Sequence, residues 1–186
     1  IAGRVMVRKL NIDGDGQADL KNHGGEYKAV YAYPYEHYSV WASELGRADF
    51  SYGQFGENLT LMGLQENFVH VGDKLRIGGA LLQVTQPRIP CFKLGIKMGD
   101  DSFPKRFLES LRSGYYLRVL EEGEIGVGDA PKIVERDPQQ MSVRLVNYLR
   151  HFDKHSTDQM QRAVEIDALA PGWKRHFRRM INKQSS

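Results

Sequence analysis

The sequence predicts a mainly β protein: a closed or nearly closed barrel of short strands with brief helices, followed by a small C-terminal module of three helices. Two observations predict the barrel. Strand-like segments follow one another through Gly-Asp turns, with Val-Gly-Asp at both 71–73 and 127–129. Too few helices separate the strands for a doubly wound parallel sheet. A third observation predicts the module, because from about Pro138 the apolar residues recur at helical spacing.

The first half of the barrel is predicted from alternation and from turn residues. GRVMVRKL at 3–10 alternates as a strand, and KAVYAY at 28–33 is rich in β-branched and aromatic residues. The segment between them is dense in Gly, Asp and Asn and is typical of a loop. Pro34 suits the first turn of a helix that runs to Gly46. A glycine-rich loop, SYGQFGEN, then leads into the strand NLTLM.

The second half begins with a hairpin. Residues 74–77 and 80–85 form its strands around the turn Gly78-Gly79. Phe103, Phe107 and Leu111 recur at the spacing of a short amphipathic helix. YYLRVLEEG and the end of GVGDAPKIVER are the last predicted strands.

The barrel domain is placed at 1–136 and the helical module at 137–186. Val146 and Leu149 mark the first helix, Ser156 or Thr157 caps the second, and Pro171 starts the third. A module of about 45 residues is too small to be stable by itself, so we expect it to pack on the barrel.

Composition excludes several classes of protein. The chain has 186 residues, 41% hydrophobic and 26% charged, as in soluble globular proteins. No apolar run approaches the ~20 residues of a membrane helix. With 26 basic and 23 acidic residues, the charge does not by itself indicate nucleic-acid binding. A single cysteine forms no internal disulfide, which favours the cytoplasm, and cannot hold an iron–sulfur cluster. Because the chain opens at Ile1 on a strand pattern, we expect a segment upstream of it.

The only cysteine, Cys91, lies in the proline-stiffened cationic stretch TQPRIPCFKLG, 85–95. A lone buried thiol is most often inert filler. As a nucleophile it would need a base, for which His23 is a candidate. As a metal ligand its thiolate would be favoured by Arg88 and Lys93. No zinc-type spacing accompanies it, so a metal would have to arrive within a cofactor.

Two glycine-rich loops are candidate ligand-binding segments. In the first, His23, Gly24 and Gly25 precede Lys28, and exposed amides beside a lysine can cradle a phosphate. The alternative is an ordinary loop with a surface lysine and a solvated histidine. In the second, FGEN at 55–58, Asn58 could hydrogen-bond a heterocycle. Alternatively, Glu57 and Asn58 only satisfy the turn.

These segments, taken in order, resemble the MOSC domain family, and the YiiM type within it, in which a MOSC barrel precedes a three-helix extension. The likeness covers nearly the whole chain and is carried by HGGEYKAVYAYPYEHYSVW, FGENLTL and VGDKLRIGGALLQVTQPRIPCFKLG. The implied fold is the MOSC-type closed β-barrel, similar to the barrel of pyruvate kinase.

The resemblance implies a function as well. It implies binding of the molybdenum cofactor, with Cys91 as the protein ligand to molybdenum and as a catalytic residue. It implies a pocket lined by the two loop motifs, which fall on His23, Gly24, Gly25, Lys28, Phe55, Gly56, Glu57 and Asn58. From their charge we add Arg88 and Lys93 as cofactor-binding residues. We add His23 as a proton donor, because the unperturbed pKa of histidine, about 6.5, is close to neutral pH.

The implied activity is that of a molybdenum-dependent oxidoreductase that reduces N-hydroxylated purines and related bases to amines. Its electrons would come from a separate reductase containing a flavin or an iron–sulfur cluster. The alternative is a module that carries the cofactor, or sulfur on Cys91, without reducing a substrate. The basic cluster KRHFRRMINK at 174–183 is typical of a solvated helix face more than of a nucleic-acid site. The extension could instead dock the electron donor or a second copy of the chain in a homodimer.

Overall fold

The computed structural model describes residues 3–15 and 24–184, and within them it contains eight strands, six α-helices and a short 3₁₀ helix at Glu26–Lys28. The strands are β1 (Arg4–Val7), β2 (Val30–Pro34), β3 (Leu59–Leu61), β4 (Lys74–Ile77), β5 (Ala80–Pro87), β6 (Tyr115–Glu121), β7 (Gly123–Gly126) and β8 (Lys132–Glu135). The helices are α1 (Glu36–Leu45), α2 (Phe92–Met98), α3 (Phe103–Ser110), α4 (Val143–His151), α5 (Thr157–Glu165) and α6 (Pro171–Gln184).

The predicted closed barrel is corrected to an open half-barrel. Six strands form one curled sheet in the order β3-β2-β6-β5-β4-β8, and β1 pairs with β7 in a separate two-stranded sheet. The register between β5 and β6 shifts twice, between Leu81 and Leu82 and between Val84 and Gln86. Such bulges bend a strand and curl its sheet. Closure would also need the two edge strands to be joined, and within the described part of the chain β3 and β8 are not.

The three predicted C-terminal helices are present, and they pack on the sheet. One continuous apolar core contains Leu82 and Val84 of β5 together with Leu149, Met160 and Trp173 of the helices. Ser142 caps α4 by accepting the Leu145 N–H at 3.1 Å. The expectation that the module packs on the sheet is therefore confirmed.

A second, aromatic core lies on the other side of β2. Its members are Tyr31, Tyr33, Tyr38, Trp41, Phe55, Leu94, Met98, Phe103 and Phe107. This core joins α1, α2 and α3 to the sheet. Helix α2, which follows Cys91, is therefore packed against the aromatic residues through Leu94 and Met98.

The repeated Val-Gly-Asp turn has a structural explanation. In the first copy Asp73 Oδ2 accepts the His70 N–H at 2.9 Å, and in the second Asp129 Oδ2 accepts the Gly126 N–H at 2.9 Å. Each aspartate thus accepts the N–H of the residue three positions before it and stabilises a turn. The first turn lies just before β4 and the second just before β8.

Two observed elements are not predicted from the sequence. Strand β7 contains two glycines, and helix α2 follows Cys91 immediately and ends at Gly99 in the left-handed conformation (φ 68°). The hairpin of β4 and β5, with residue 77 paired to residue 80, is confirmed.

Candidate functional site

Cys91 lies on the bend between the end of β5 and the start of α2. Its backbone is extended (φ −124°, ψ 171°), and its thiol is partly exposed. Pro87 ends β5 while still paired with Tyr115 of β6, and Pro90 restricts the backbone before the cysteine. The bend therefore presents a free thiol at the end of a central strand.

Arg88 is a buried cation three residues before that cysteine. Only 8% of it is exposed, and its guanidinium carbon lies 4.9 Å from the ring centroid of Tyr31 and 5.6 Å from that of Phe107. Burial lowers the pKa of Arg88, but its interactions with Tyr31, Tyr116 and Cys91 outweigh burial and raise that pKa overall. Nη1 is buried and has no hydrogen-bond partner among the described residues. A buried cation with a donor available is thus next to Cys91.

Two tyrosines that no sequence motif marks as site residues complete the surroundings of Arg88. Tyr31 on β2 and Tyr116 on β6 are directly paired in register, with ring centroids 5.2 Å apart. The Tyr31 hydroxyl donates to Ser113 O at 2.8 Å, and Tyr116 and Arg88 lie close enough to influence each other's pKa. The alternation of side chains in KAVYAY and YYLRVL could have indicated these two residues, because it places their rings on one face of the sheet.

The HGG…K segment contributes Lys28 to the surroundings of Tyr116. Gly25 has φ 90°, a conformation that favours glycine, and its carbonyl accepts the Lys28 N–H at 2.9 Å to begin the 3₁₀ turn. Lys28 Nζ then lies 5.9 Å from the ring centroid of Tyr116. Gly24 belongs to the described residues, whereas His23 lies outside them. The second cation therefore stands over the ring that contacts Arg88.

The FGEN segment contributes mainly its backbone to this cluster. A Cβ at Gly56 would lie 3.9 Å from Arg88 Nη2, so the loop passes directly beside the guanidinium. Gly56 has φ 84° and no side chain, which leaves that approach open.

The other FGEN side chains bind the protein itself. The carboxylate of Glu57 accepts the Phe55 N–H at 3.0 Å, the Gly53 N–H at 3.2 Å and the hydroxyls of Tyr38 and Thr60. Asn58 accepts the Tyr31 N–H at 2.8 Å and donates to Asp15 at 2.7 Å. Phe55 is fully buried, with its ring 4.5 Å from that of Tyr33.

The geometry thus brings together Cys91, Arg88, Lys28 and the backbone at Gly56. Lys93 lies in the first turn of α2 with its side chain exposed, two residues beyond Cys91. Phe55, Glu57 and Asn58 are behind this group, where they support the loop and β2.

Comparison with known proteins identifies the family. Residues 19–131 match the model of the MOSC domain, and residues 141–184 match that of the YiiM-like 3-alpha helix domain. The chain belongs to the MOSC domain family. The predicted resemblance to the YiiM type is confirmed, and the matched MOSC region contains Lys28, Gly56, Arg88 and Cys91.

Individual MOSC relatives agree with this assignment. The chain is 40% identical to the uncharacterized protein YflK of Bacillus subtilis, over 93% of this chain and 78% of YflK. The crystal structure of YiiM from Geobacillus stearothermophilus matches with a TM-score of 0.87 and 36% identity, over 97% of this chain and 86% of that one. A protein named Reductase from Gibberella moniliformis is 35% identical over 76% of this chain, which covers 26% of that protein's length.

A separate groove of about 690 Å³ in this MOSC protein lies between β3 and the two-stranded sheet of β1 and β7. Glu57 and Asn58 line it, but Cys91 and Arg88 do not. Within residues 3–15 and 24–184, no three His, Cys, Asp or Glu side chains converge as a metal site. No helix in the described part of the chain combines the length and apolarity that crossing a membrane requires.

Proposed function

We propose that this MOSC domain protein binds the molybdenum cofactor through Cys91 and reduces N-hydroxylated compounds, purine bases among them, to amines. The observation that carries the proposal is the buried Arg88 guanidinium, which interacts electrostatically with the only thiol of the chain and has one donor, Nη1, without a partner among the described residues. Membership of the MOSC family supports the cofactor, and the relative named Reductase supports a redox reaction.

The residues present fit a phosphorylated pterin dithiolene. A soft thiolate from Cys91 suits molybdenum that is already bound by dithiolene sulfurs. Two cations, Arg88 and Lys28, face the same tyrosine and would hold the anionic parts of the cofactor. Binding an anion would supply the partner that Arg88 Nη1 lacks within the described residues. Gly24 and Gly25 precede Lys28 and would offer backbone amides.

Reduction of R–NHOH to R–NH2 and water consumes two electrons and two protons. The bound cofactor would supply the two-electron chemistry at the N–O bond. The chain would bind the cofactor, orient it and supply protons. Tyr116 remains protonated, because burial raises its pKa despite the opposing effect of Arg88, and its hydroxyl can orient a polar substrate beside Cys91. We assign proton donation to His23, whose unperturbed pKa of about 6.5 is close to neutral pH.

The electrons would come from a separate reductase that contains a flavin or an iron–sulfur cluster, since one cysteine cannot hold such a cluster. This electron donor and the N-hydroxylated substrate are the partners that the proposal requires.

The test is to produce the protein in a host that makes the cofactor and to measure molybdenum, pterin and reduction of 6-N-hydroxylaminopurine with a chemical electron donor. We expect metal and pterin to copurify, and Cys91→Ser to abolish turnover. Arg88→Leu should lower cofactor content, whereas the exposed Lys105→Leu should not. Full activity of Cys91→Ser would refute the proposal.

A carrier role is the second candidate, because the Cys91 thiol is free and partly exposed and could take the outer sulfur of a donor persulfide, releasing the donor's thiol. A persulfide on Cys91 in the mass spectrum, together with no N-hydroxyl reduction by cofactor-loaded protein, would select it.

A further inference from the structure

Glu66 is a buried carboxylate that the proposed function does not use. It lies between β3 and β4 and is only 3% exposed. Oε2 is 2.6 Å from His37 Nε2 on α1, and Oε1 accepts the Gly114 N–H at 2.7 Å. Its backbone carbonyl accepts the Arg144 N–H at the start of α4 at 3.0 Å. This one residue therefore connects α1, the start of β6 and the three-helix module.

The turn that Glu66 holds is in direct contact with the cluster around Cys91. Ser113 O accepts the Tyr31 hydroxyl at 2.8 Å. Gly114 O accepts the Arg88 N–H at 3.3 Å and the Ser113 hydroxyl at 2.8 Å. A single residue, Gly114, thus donates its N–H to Glu66 and accepts the Arg88 N–H through its carbonyl.

The turn is tightly packed and has a conformation that favours glycine. Gly114 has φ 62°, and a Cβ there would lie 2.5 Å from Ala32 O and 2.9 Å from the Tyr31 hydroxyl oxygen. Gly114 is therefore packed closely against β2. Its buried N–H would lose its partner if the carboxylate were removed, and an unpaired buried donor is costly.

We propose that Glu66 is a positioning residue of the cofactor site: its carboxylate holds the Ser113–Gly114 turn, and the turn sets the places of Arg88 and Tyr31. The effect of Glu66 on cofactor binding rests on the proposed function. Its effect on the positions of Arg88 and Tyr31 depends on the geometry alone and can be tested without cofactor.

The first experiment measures amide hydrogen exchange in the apo protein. Exchange at Gly114 and Arg88 is compared with exchange at Val146, a fully buried residue of α4 whose amide donates to Ser142 O and serves as the reference. Glu66→Leu removes the acceptor, whereas Glu66→Gln keeps a neutral one, so we expect exchange at Gly114 to rise about 30-fold and about fivefold, respectively.

Asp73 provides the matched control. It is fully buried, and its carboxylate accepts the backbone N–H groups of His70 at 2.9 Å and Asp137 at 3.0 Å, neither of which belongs to the cluster around Cys91. Asp73→Leu and Asp73→Asn should leave the ratios at Gly114 and Arg88 within twofold of wild type. If Glu66→Leu does not fold, the pair Glu66→Gln and Asp73→Asn decides. Equal ratios in the Glu66 and Asp73 variants would overturn the positioning role.

The second experiment measures molybdenum per protein chain in the same variants made in a cofactor-competent host. We expect Glu66→Leu to retain about one tenth of the wild-type metal, and Glu66→Gln and Asp73→Leu to retain most of it. Normal metal content in Glu66→Leu would show that the positioning does not serve the cofactor. If the wild type itself binds no molybdenum, the proposed function fails, and the exchange ratios still decide the role of Glu66.

Discussion

Gly114→Ala should destabilise the protein by a predictable amount. The new Cβ would lie 2.5 Å from Ala32 O and 2.8 Å from Tyr31 Cε2, in a residue with φ 62°. Positive φ costs an alanine about 1 kcal/mol. Overlap with a strand backbone that cannot move away adds about 1–3 kcal/mol. We therefore expect the free energy of unfolding to fall by about 2–4 kcal/mol.

Gly99→Ala separates the two contributions. Gly99 has φ 68°, close to that of Gly114, but a Cβ there would meet nothing within 4 Å. The strain and the reduced entropy of the unfolded chain are common to both variants, so their difference isolates the steric overlap. Urea unfolding followed by circular dichroism should place Gly114→Ala about 2 kcal/mol below Gly99→Ala. A difference under about 0.5 kcal/mol, the usual scatter for independent sites, would show that β2 yields and that our account of a rigid turn is wrong.

Three further predictions concern stability. Burial, then Arg150 and His176, lower the pKa of His151 to about 4. His151 thus folds neutral, and its contribution should be complete above pH 6.5 and shrink by about 2 kcal/mol as the pH falls to 4; thermal unfolding of His151→Gln should lack that dependence, and an unchanged pH profile would contradict it. Asn147 is fully buried, and neither polar atom of its side chain has a partner among the described residues. Asn147→Leu should therefore raise the free energy of unfolding by about 1–2 kcal/mol, and a loss would show that the amide is bound. Glu57→Ala should cost about 3 kcal/mol in urea, since it leaves two N–H groups and two hydroxyls without their acceptor; a cost below about 1 kcal/mol would mean that water replaces the carboxylate.

Local features of this chain could be predicted from sequence, whereas long-range pairings could not. The β4–β5 hairpin follows from alternation around Gly78-Gly79, and the C-terminal helices follow from apolar spacing and Pro171. Pairing of β1 with β7 joins residues more than a hundred positions apart, and no local pattern indicates it. The same limit explains why the prediction of a closed barrel was wrong, because the apolar pattern identifies strands without showing which strand edges pair.

The site divides in the same way. Cys91, Arg88 and Lys28 were selected from their type and neighbours. Glu66 and Gly114 are 48 positions apart, and neither has a motif of its own. Tyr31 and Tyr116 are ordinary strand residues until the register of β2 and β6 places them together. Supporting residues of this kind are recognised only once the fold is known.

The three-helix module contributes to the site through strand β5. Ala170, in the connection before α6, donates its N–H to Thr85 O at 3.3 Å, and the Thr85 hydroxyl donates to Tyr27 O at 2.7 Å. Thr85 precedes Arg88 by three residues and is fully buried. Since the Glu66 carbonyl also accepts the Arg144 N–H at the start of α4, the module contacts both the strand that precedes Arg88 and the loop that holds its turn. These contacts connect the module to the strand that leads to Arg88 and Cys91, and they do not involve its basic cluster at 174–183.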